Sequence, residues 1–224
     1  MSGSFKDLIN KKRGYDELAK KEEEFEERRK SFVNRFWLPP EGNTKIIFLD
    51  DDPPIIEEHQ LKIGGDWRNW LTCLRLIGEA CPICDVLEDT PYTVGFYTVI
   101  DTAVWTDKKG NEHRNEKKLF PAKFKALQML RRLSEKRGSL VGCCFDVYRS
   151  SKDAFNTGDV FDFEGKLDME QIKKLNEDIE PFDYAEVLAP KTPAEIKELL
   201  QKNAEKMGGV DFSEYEKEDD EVKF

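Results

Sequence analysis

"HQLKIGGDWRNWLTCLRLIGEACPICD", residues 59–85, holds one of the chain's two histidines, three of its five cysteines and two of its four tryptophans. Two patterns overlap in it. "IIEEHQLKI" and "DWRNWLTC" flank Gly64-Gly65, and two strand-like runs around paired glycines read as a β-hairpin on a tight turn. On that hairpin His59 and Cys73 lie on adjacent strands at the open end, opposite the glycines. Cys81-Pro82-Ile83-Cys84 follows as a C-x-x-C knuckle. His59, Cys73, Cys81 and Cys84 are thus separated by 13, 7 and 2 residues. Zinc takes four N/S ligands in a tetrahedron, and a C-x-x-C turn offers two thiolates to one ion. The spacing therefore predicts one structural zinc on these four residues.

Two alternatives compete. A redox C-x-x-C normally sits between a strand and a helix in a βαβ unit, whereas here it interrupts an antiparallel pattern and leaves His59 and Cys73 unexplained. Unliganded core cysteines are the ordinary alternative. The metal reading accounts for all four residues. A catalytic zinc would need an open ligand position, and four N/S donors argue for a closed site. No HExxH, Walker loop or Gly-rich fingerprint is present, so no enzyme activity is expected. Cys143-Cys144 alternate across a strand-like run, one expected to be buried. His113 is expected to face solvent beyond a hairpin turn.

Outward from the hairpin, "TKIIFLDD", "YTVGFYTVIDTAVWTD", "NEKKLFPA", "LVGCCFDVYRSS" and "DVFDFEGKL" are β-branched and aromatic runs punctuated by Gly, Pro and Asp. "KFKALQMLRRLSEKRG" carries Phe124, Leu127, Leu130 and Leu133 at helical spacing, with Gly138 as its stop. Five or six strands with one late helix predict a mainly β fold, an OB-fold-like five-stranded barrel over residues 36–166 with a small zinc-binding subdomain at about 59–90. Residues 1–35 read as a charged helical arm, 167–210 as a helical linker, and 211–224 as an acidic disordered tail.

The net charge of −10 is unevenly spread. Residues 1–36 carry ten Lys/Arg against eight Asp/Glu, 37–166 carry 18 against 21, and 167–224 carry 8 against 17. Within the middle block, residues 105–152 hold 13 basic and five acidic residues. A basic stripe with a separate acidic tail fits a polyanion partner better than the overall charge suggests. Aromatics interleave with the cations, and single strands are held by bases stacking on rings while cations follow phosphates. The candidate nucleic-acid residues are Arg68, Trp70, Tyr97, Trp105, Lys108, Lys109, Arg114, Lys117, Lys118, Phe120 and Lys123. In "DWRNW", Trp67, Asn69 and Leu71 face one way and Arg68, Trp70 and Thr72 the other, so one tryptophan is expected outside the core.

The run His59…Cys73…Cys81-Pro82-x-Cys84 within "DWRNWLTC", with "RFWLPPEGNTKIIFLDD" and "VGFYTVIDTAVWTDKKGNEHRNEKKLFPAK", resembles the zinc-containing single-stranded-DNA-binding proteins of tailed bacteriophages. It is similar to the T-even-type helix-destabilising protein and its phage relatives, over about residues 35–165. The resemblance implies an OB-fold with a flanking zinc subdomain that coats exposed strands in DNA replication, recombination and repair. It also implies self-association through the N-terminal arm. Replication and recombination proteins would be recruited by the acidic tail, here Asp219, Asp220, Glu221 and Phe224. A non-catalytic zinc-knuckle interaction adaptor is the alternative. No apolar run approaches the roughly 20 residues of a membrane span, and "MSGSFKDLINKKRGYDELAKK" lacks a signal-peptide core, so a cytoplasmic protein is expected, in the host cytoplasm if phage-encoded.

Overall fold

Each β-branched or aromatic run becomes a strand. The computed structural model describes residues 15, 18–22, 33–107 and 109–203. Most of the arm, Lys108 and the tail with Asp219, Asp220, Glu221 and Phe224 lie outside the described residues. The chain divides into two units, 1–34 and 35–224. In the first, residues 18–22 are helical and exposed.

In the second unit the strands are β1 (Asn43–Phe48), β2 (Ile55–Ile63), β3 (Asp66–Thr72), β4 (Tyr92–Asp101), β5 (Trp105–Thr106), β6 (Glu112–His113), β7 (Glu116–Lys123), β8 (Cys143–Tyr148) and β9 (Val160–Lys166). Seven form one antiparallel sheet in the order β3-β2-β4-β1-β8-β9, with β7 on β4; β5 and β6 make a separate hairpin. The long strand β4 organises the sheet. Its first residues pair with β2 (Gly95 opposite Ile55) and its last with β1 (Asp101 opposite Ile46). Its other edge pairs with β7 from Val94 opposite Lys123 to Asp101 opposite Glu116. Gly64 and Gly65 have φ of 59° and 87°, the left-handed pair that a two-residue hairpin turn requires.

The sheet rolls. Phe120 on β7 and Phe161 on β9 come from strands far apart along the ladder, yet their ring centroids are 5.9 Å apart. Ile46, Phe48, Tyr97, Val99, Phe120, Ala122, Phe145 and Val147 meet there in one core, with Phe36 and Leu38 from the entering chain. Each fully buried Phe contributes about 1.5–3 kcal/mol of transfer free energy. No ladder among the described strands closes the sheet into a barrel. The chain entering the sheet lies along β7 instead: the Phe36 N–H donates to the Leu119 carbonyl, and the Leu38 N–H to that of Asn156. The expectation is met in its mainly β, antiparallel character, while a closed barrel is absent.

Helix α2 (Phe124–Arg137) follows α1 (Pro82–Val86) in the chain and ends at Gly138, with φ of 76°. It seats Ala126 and Leu130 in the core, while Phe124 at its first position is exposed. A Cβ on Gly95 would fall 2.4 Å from Leu127 Cδ2, so this glycine sets how closely α2 approaches β4. The segment expected as a linker packs instead. Helix α3 (Met169–Leu175) buries Ile172 against Ile47, Leu49 and Ile100. Helices α4 (Tyr184–Val187) and α5 (Pro193–Asn203) follow, and α5 buries Ile196 and Leu200 against the β2–β3 hairpin and the knuckle. Among the described residues no helix is long and apolar enough to cross a membrane.

Candidate functional site

The hairpin register sets His59 opposite Leu71, and the Cys73 N–H continues the pairing by donating to the Glu57 carbonyl. His59 and Cys73 therefore meet at the open end. Cys73 precedes a single 3-10 turn (Leu74–Ile77), Cys81 caps α1 and Cys84 lies within it. One ligand atom from each of the four residues lies within 4.8 Å of the others. His59 Nε2 is 3.6 Å from Cys81 Sγ and 3.4 Å from Cys84 Sγ, and Cys73 Sγ is 3.6 Å from Cys84 Sγ. These separations are well beyond the roughly 2.05 Å of a disulfide.

The imidazole is already oriented. Its Nδ1 lies 2.6 Å from Asp89 Oδ2. A carboxylate accepts only, so Nδ1 carries the proton and Nε2 is the ring atom left to face the thiols. His59, Cys73 and Cys81 are buried and Cys84 is half-buried. Burial pushes the Cys84 thiol up to about 12, helped by Cys73 and Cys81, and raises Cys73 as well. Cys81 is net lowered: burial raises it, but hydrogen bonds from the backbone N–H groups of Cys84, Leu74 and Ile83 outweigh that. Three thiolates so close repel one another, and a bound cation is what lets all three ionise together. The tetrad can hold one metal ion.

Comparison with family models, curated proteins and solved structures returned no match.

The structure separates the candidate surface residues into groups. Tyr97 and Phe120 are core residues: Tyr97 meets Phe48 edge-on at 5.3 Å, and Phe120 stacks among Phe36, Phe48 and Phe161. Neither ring reaches a surface, so the expectation that they stack bases is corrected. Lys118 gives its charge to buried Asp101 at 2.7 Å, and Lys117 is held by Asp178 at 2.5 Å and the Glu180 carbonyl, under the Phe182 ring. Both are structural lysines. Arg68 pairs with Asp66 and Arg114 with Glu112, exposed pairs worth little. Trp105 stacks on His113 at 4.3 Å, donates its indole N–H to Glu116 and stays 42% exposed; Lys109 is exposed in the turn between β5 and β6. His113, expected to face solvent, is half-exposed in that stack.

Trp70 lies on the face of β3 away from buried Leu71, with the Arg35 guanidinium 4.4 Å over its ring. Trp67 is 53% exposed, with Lys62 Nζ 5.7 Å from its centroid. Lys123 is half-buried, 4.4 Å from the Tyr92 ring and 5.3 Å from that of Phe155. Burial lowers its pKa, partly offset by Glu58. Arg35, Glu58, Asp89, Tyr92 and Phe155 were not singled out in the sequence. Asp89 follows the knuckle in a short acidic turn, the one local hint that it could support His59.

Proposed function

We propose that this chain is a non-catalytic, sequence-independent single-stranded-DNA-binding protein with one structural zinc and an OB-like sheet. The observation that carries the proposal is the β2–β3 hairpin. The ligand tetrad anchors its open end, and cations lie over both of its tryptophans, Trp67 and Trp70, outside the main core. Rings with adjacent cations suit stacked bases flanked by phosphates. Zinc is supported by edge lengths. Zn–S near 2.3 Å and Zn–N near 2.0–2.1 Å in a tetrahedron place S···S at about 3.8 Å and S···N at about 3.5 Å. The 3.4–3.6 Å separations fit that frame. Support for the OB reading comes from the forked central strand β4, the late helix α2 and the rolled sheet.

On this reading the protein coats exposed strands during phage DNA replication, recombination and repair. The arm mediates self-association, and the tail, seven acids against two bases over residues 211–224, recruits replication proteins. Exposed Leu76 and Ile77 on the metal lobe favour the second reading, a zinc-knuckle interaction adaptor. Titration with oligo-dT, followed by tryptophan quenching at several salt concentrations, tests the proposal. Tight binding that falls linearly in log K against log salt is expected. Equal affinity for duplex of the same length overturns it, and no binding to either favours the adaptor.

A further inference from the structure

The register assigns more of the sheet to one surface than the hairpin alone. Glu58 on β2 stands opposite Thr72 on β3 and opposite Tyr92 on β4. Val94, two residues beyond Tyr92 and on the same face, stands opposite Lys123 on β7. Side chains directly opposite, or two residues away, share a face. Trp70, Glu58, Tyr92 and Lys123 therefore lie on one face, across four strands and roughly 14 Å at the usual inter-strand spacing. It is the face opposite the one that carries Tyr97 and Phe120 into the core.

The side chains on it touch in sequence. Arg35 lies over Trp70 and, at 5.1 Å, over Phe96. Its guanidinium grips buried Glu58 through two hydrogen bonds of 2.9 and 2.5 Å. The Tyr92 hydroxyl donates to the same carboxylate at 2.7 Å. Tyr92 then meets Lys123, and Lys123 meets Phe155 from the loop before β9, 38% exposed. Glu58 is the hub, spent on holding Arg35 and Tyr92. Lys123 differs from the other lysines of β7: among the described residues it has no carboxylate in direct ion-pair contact, and the one that acts on it, Glu58, is bonded to Arg35 and Tyr92. A half-buried ammonium held by two aromatic faces, with no anion in direct contact, has room in its partnership for one. A phosphate supplies it, and the exposed Phe155 ring beside it accepts a base.

We infer that Trp70, Tyr92, Lys123 and Phe155 form a continuous track for single-stranded DNA on this face, with Lys123 holding a backbone phosphate, Phe155 stacking a base, and Arg35 and Glu58 positioning the rings. This rests on the proposed function and extends it to residues outside the metal lobe. Its occupant is a polyanion with flat, unpaired bases: a duplex hides the base faces that Phe155 would meet, and a protein partner would more naturally supply a carboxylate to Lys123 with no use for stacking.

The test uses the full-length, metal-loaded protein. Wild type, Lys123→Gln, Phe155→Ala and Tyr92→Phe are titrated with oligo-dT across a salt series, each checked by thermal melting. Phe155→Ala is expected to weaken binding roughly 5- to 150-fold, the range for one lost stacked base. Lys123→Gln is expected to weaken binding and lower the log K–log salt slope by about one phosphate contact, a change that a merely structural lysine would not cause. Tyr92→Phe, which keeps the ring and loses only the bond to Glu58, is expected to change affinity less than Phe155→Ala. If wild type binds oligo-dT but Lys123→Gln and Phe155→Ala retain its affinity and slope, the track is wrong and the proposed function stands. If wild type does not bind, the function itself fails.

Discussion

Two of the three apolar centres of the second unit, the main core and the metal lobe, are built on different terms. The main core gathers fifteen buried residues, five of them Phe, in edge-on and tilted contacts from five strands and α2. The metal lobe gathers eight, two of which are cysteines, and completes itself with Ile196 and Leu200 from more than a hundred residues away. A centre of that size does not bury enough apolar area to hold a hairpin, a 3-10 turn and a five-residue helix in place; small cores need a staple. The lobe has two, the ligand tetrad and helix α5. The sheet should therefore be stable in its own right, and the lobe conditional.

Breaking the first staple should have the largest effect. Stripping metal with a chelator, or replacing Cys81 and Cys84 by Ser, should remove one ion per chain and of order 10 kcal/mol of lobe stability, since metal-binding free energy is folding free energy. Calorimetry should then show the lobe melting ahead of the sheet, with Trp67 and Trp70 emission moving to the red. A single unchanged transition, from protein whose elemental analysis shows no metal, would erase the contrast between the two centres.

The next step down sharpens it. Phe120→Ala empties the middle of the aromatic core and should cost about 3–5 kcal/mol of global stability without altering metal affinity. Leu200→Ala, a fully buried truncation on α5, should cost about 2–5 kcal/mol but locally, weakening metal retention against a competing chelator while the main melting transition moves little. If both substitutions shift the same transition by the same mechanism, the lobe and sheet are one cooperative body. Denaturant melts monitored in parallel with metal release separate the two cases.

What was legible in the sequence follows the same division. The hairpin, the tetrad and α2 were readable because each rests on a short-range rule: period-2 residues around paired glycines, ligand spacing, and i, i+3 leucines with a glycine stop. Which β4 and β7 aromatics face inward was not. Alternation separates core from surface only when one face is wet, and β4 is buried almost throughout because α3 and the 182–184 turn cover the lower half of its other face. Tyr97 and Phe120 read as available for that reason. Lys117 read as free because its anchor, Asp178, is 61 residues on. Arg35 sits at the edge of a charged arm, and nothing local marks its bond to Glu58. Residues 193–203 looked like a polar linker because only Ile196 and Leu200, four apart, carry its buried face.

The smallest effect belongs to neither centre, and it tests whether the β5–β6 hairpin is as independent as its separate sheet implies. Asp107 accepts hydrogen bonds from the backbone N–H groups of Lys109 and Asn111 and from the Asn111 side chain, closing the turn. The Asn111 bonds foremost hold its carboxyl down to about 2. Because that lies below the roughly 3.9 of an unfolded Asp, the stabilisation is complete above about pH 4 and is lost as pH falls through 2. The group lies at the surface within the turn it closes, so the loss is local. The indole N–H signal of Trp105, bonded to Glu116 at the start of β7, should broaden in wild type across that window. Asp107→Ala should show the broadened signal already at neutral pH, with the global melt unchanged at pH 7. A variant whose Trp105 signal stays sharp would mean that the stack on His113, rather than the turn, holds the hairpin. Exposed Trp105 would then be positioned independently of the Asp107 loop.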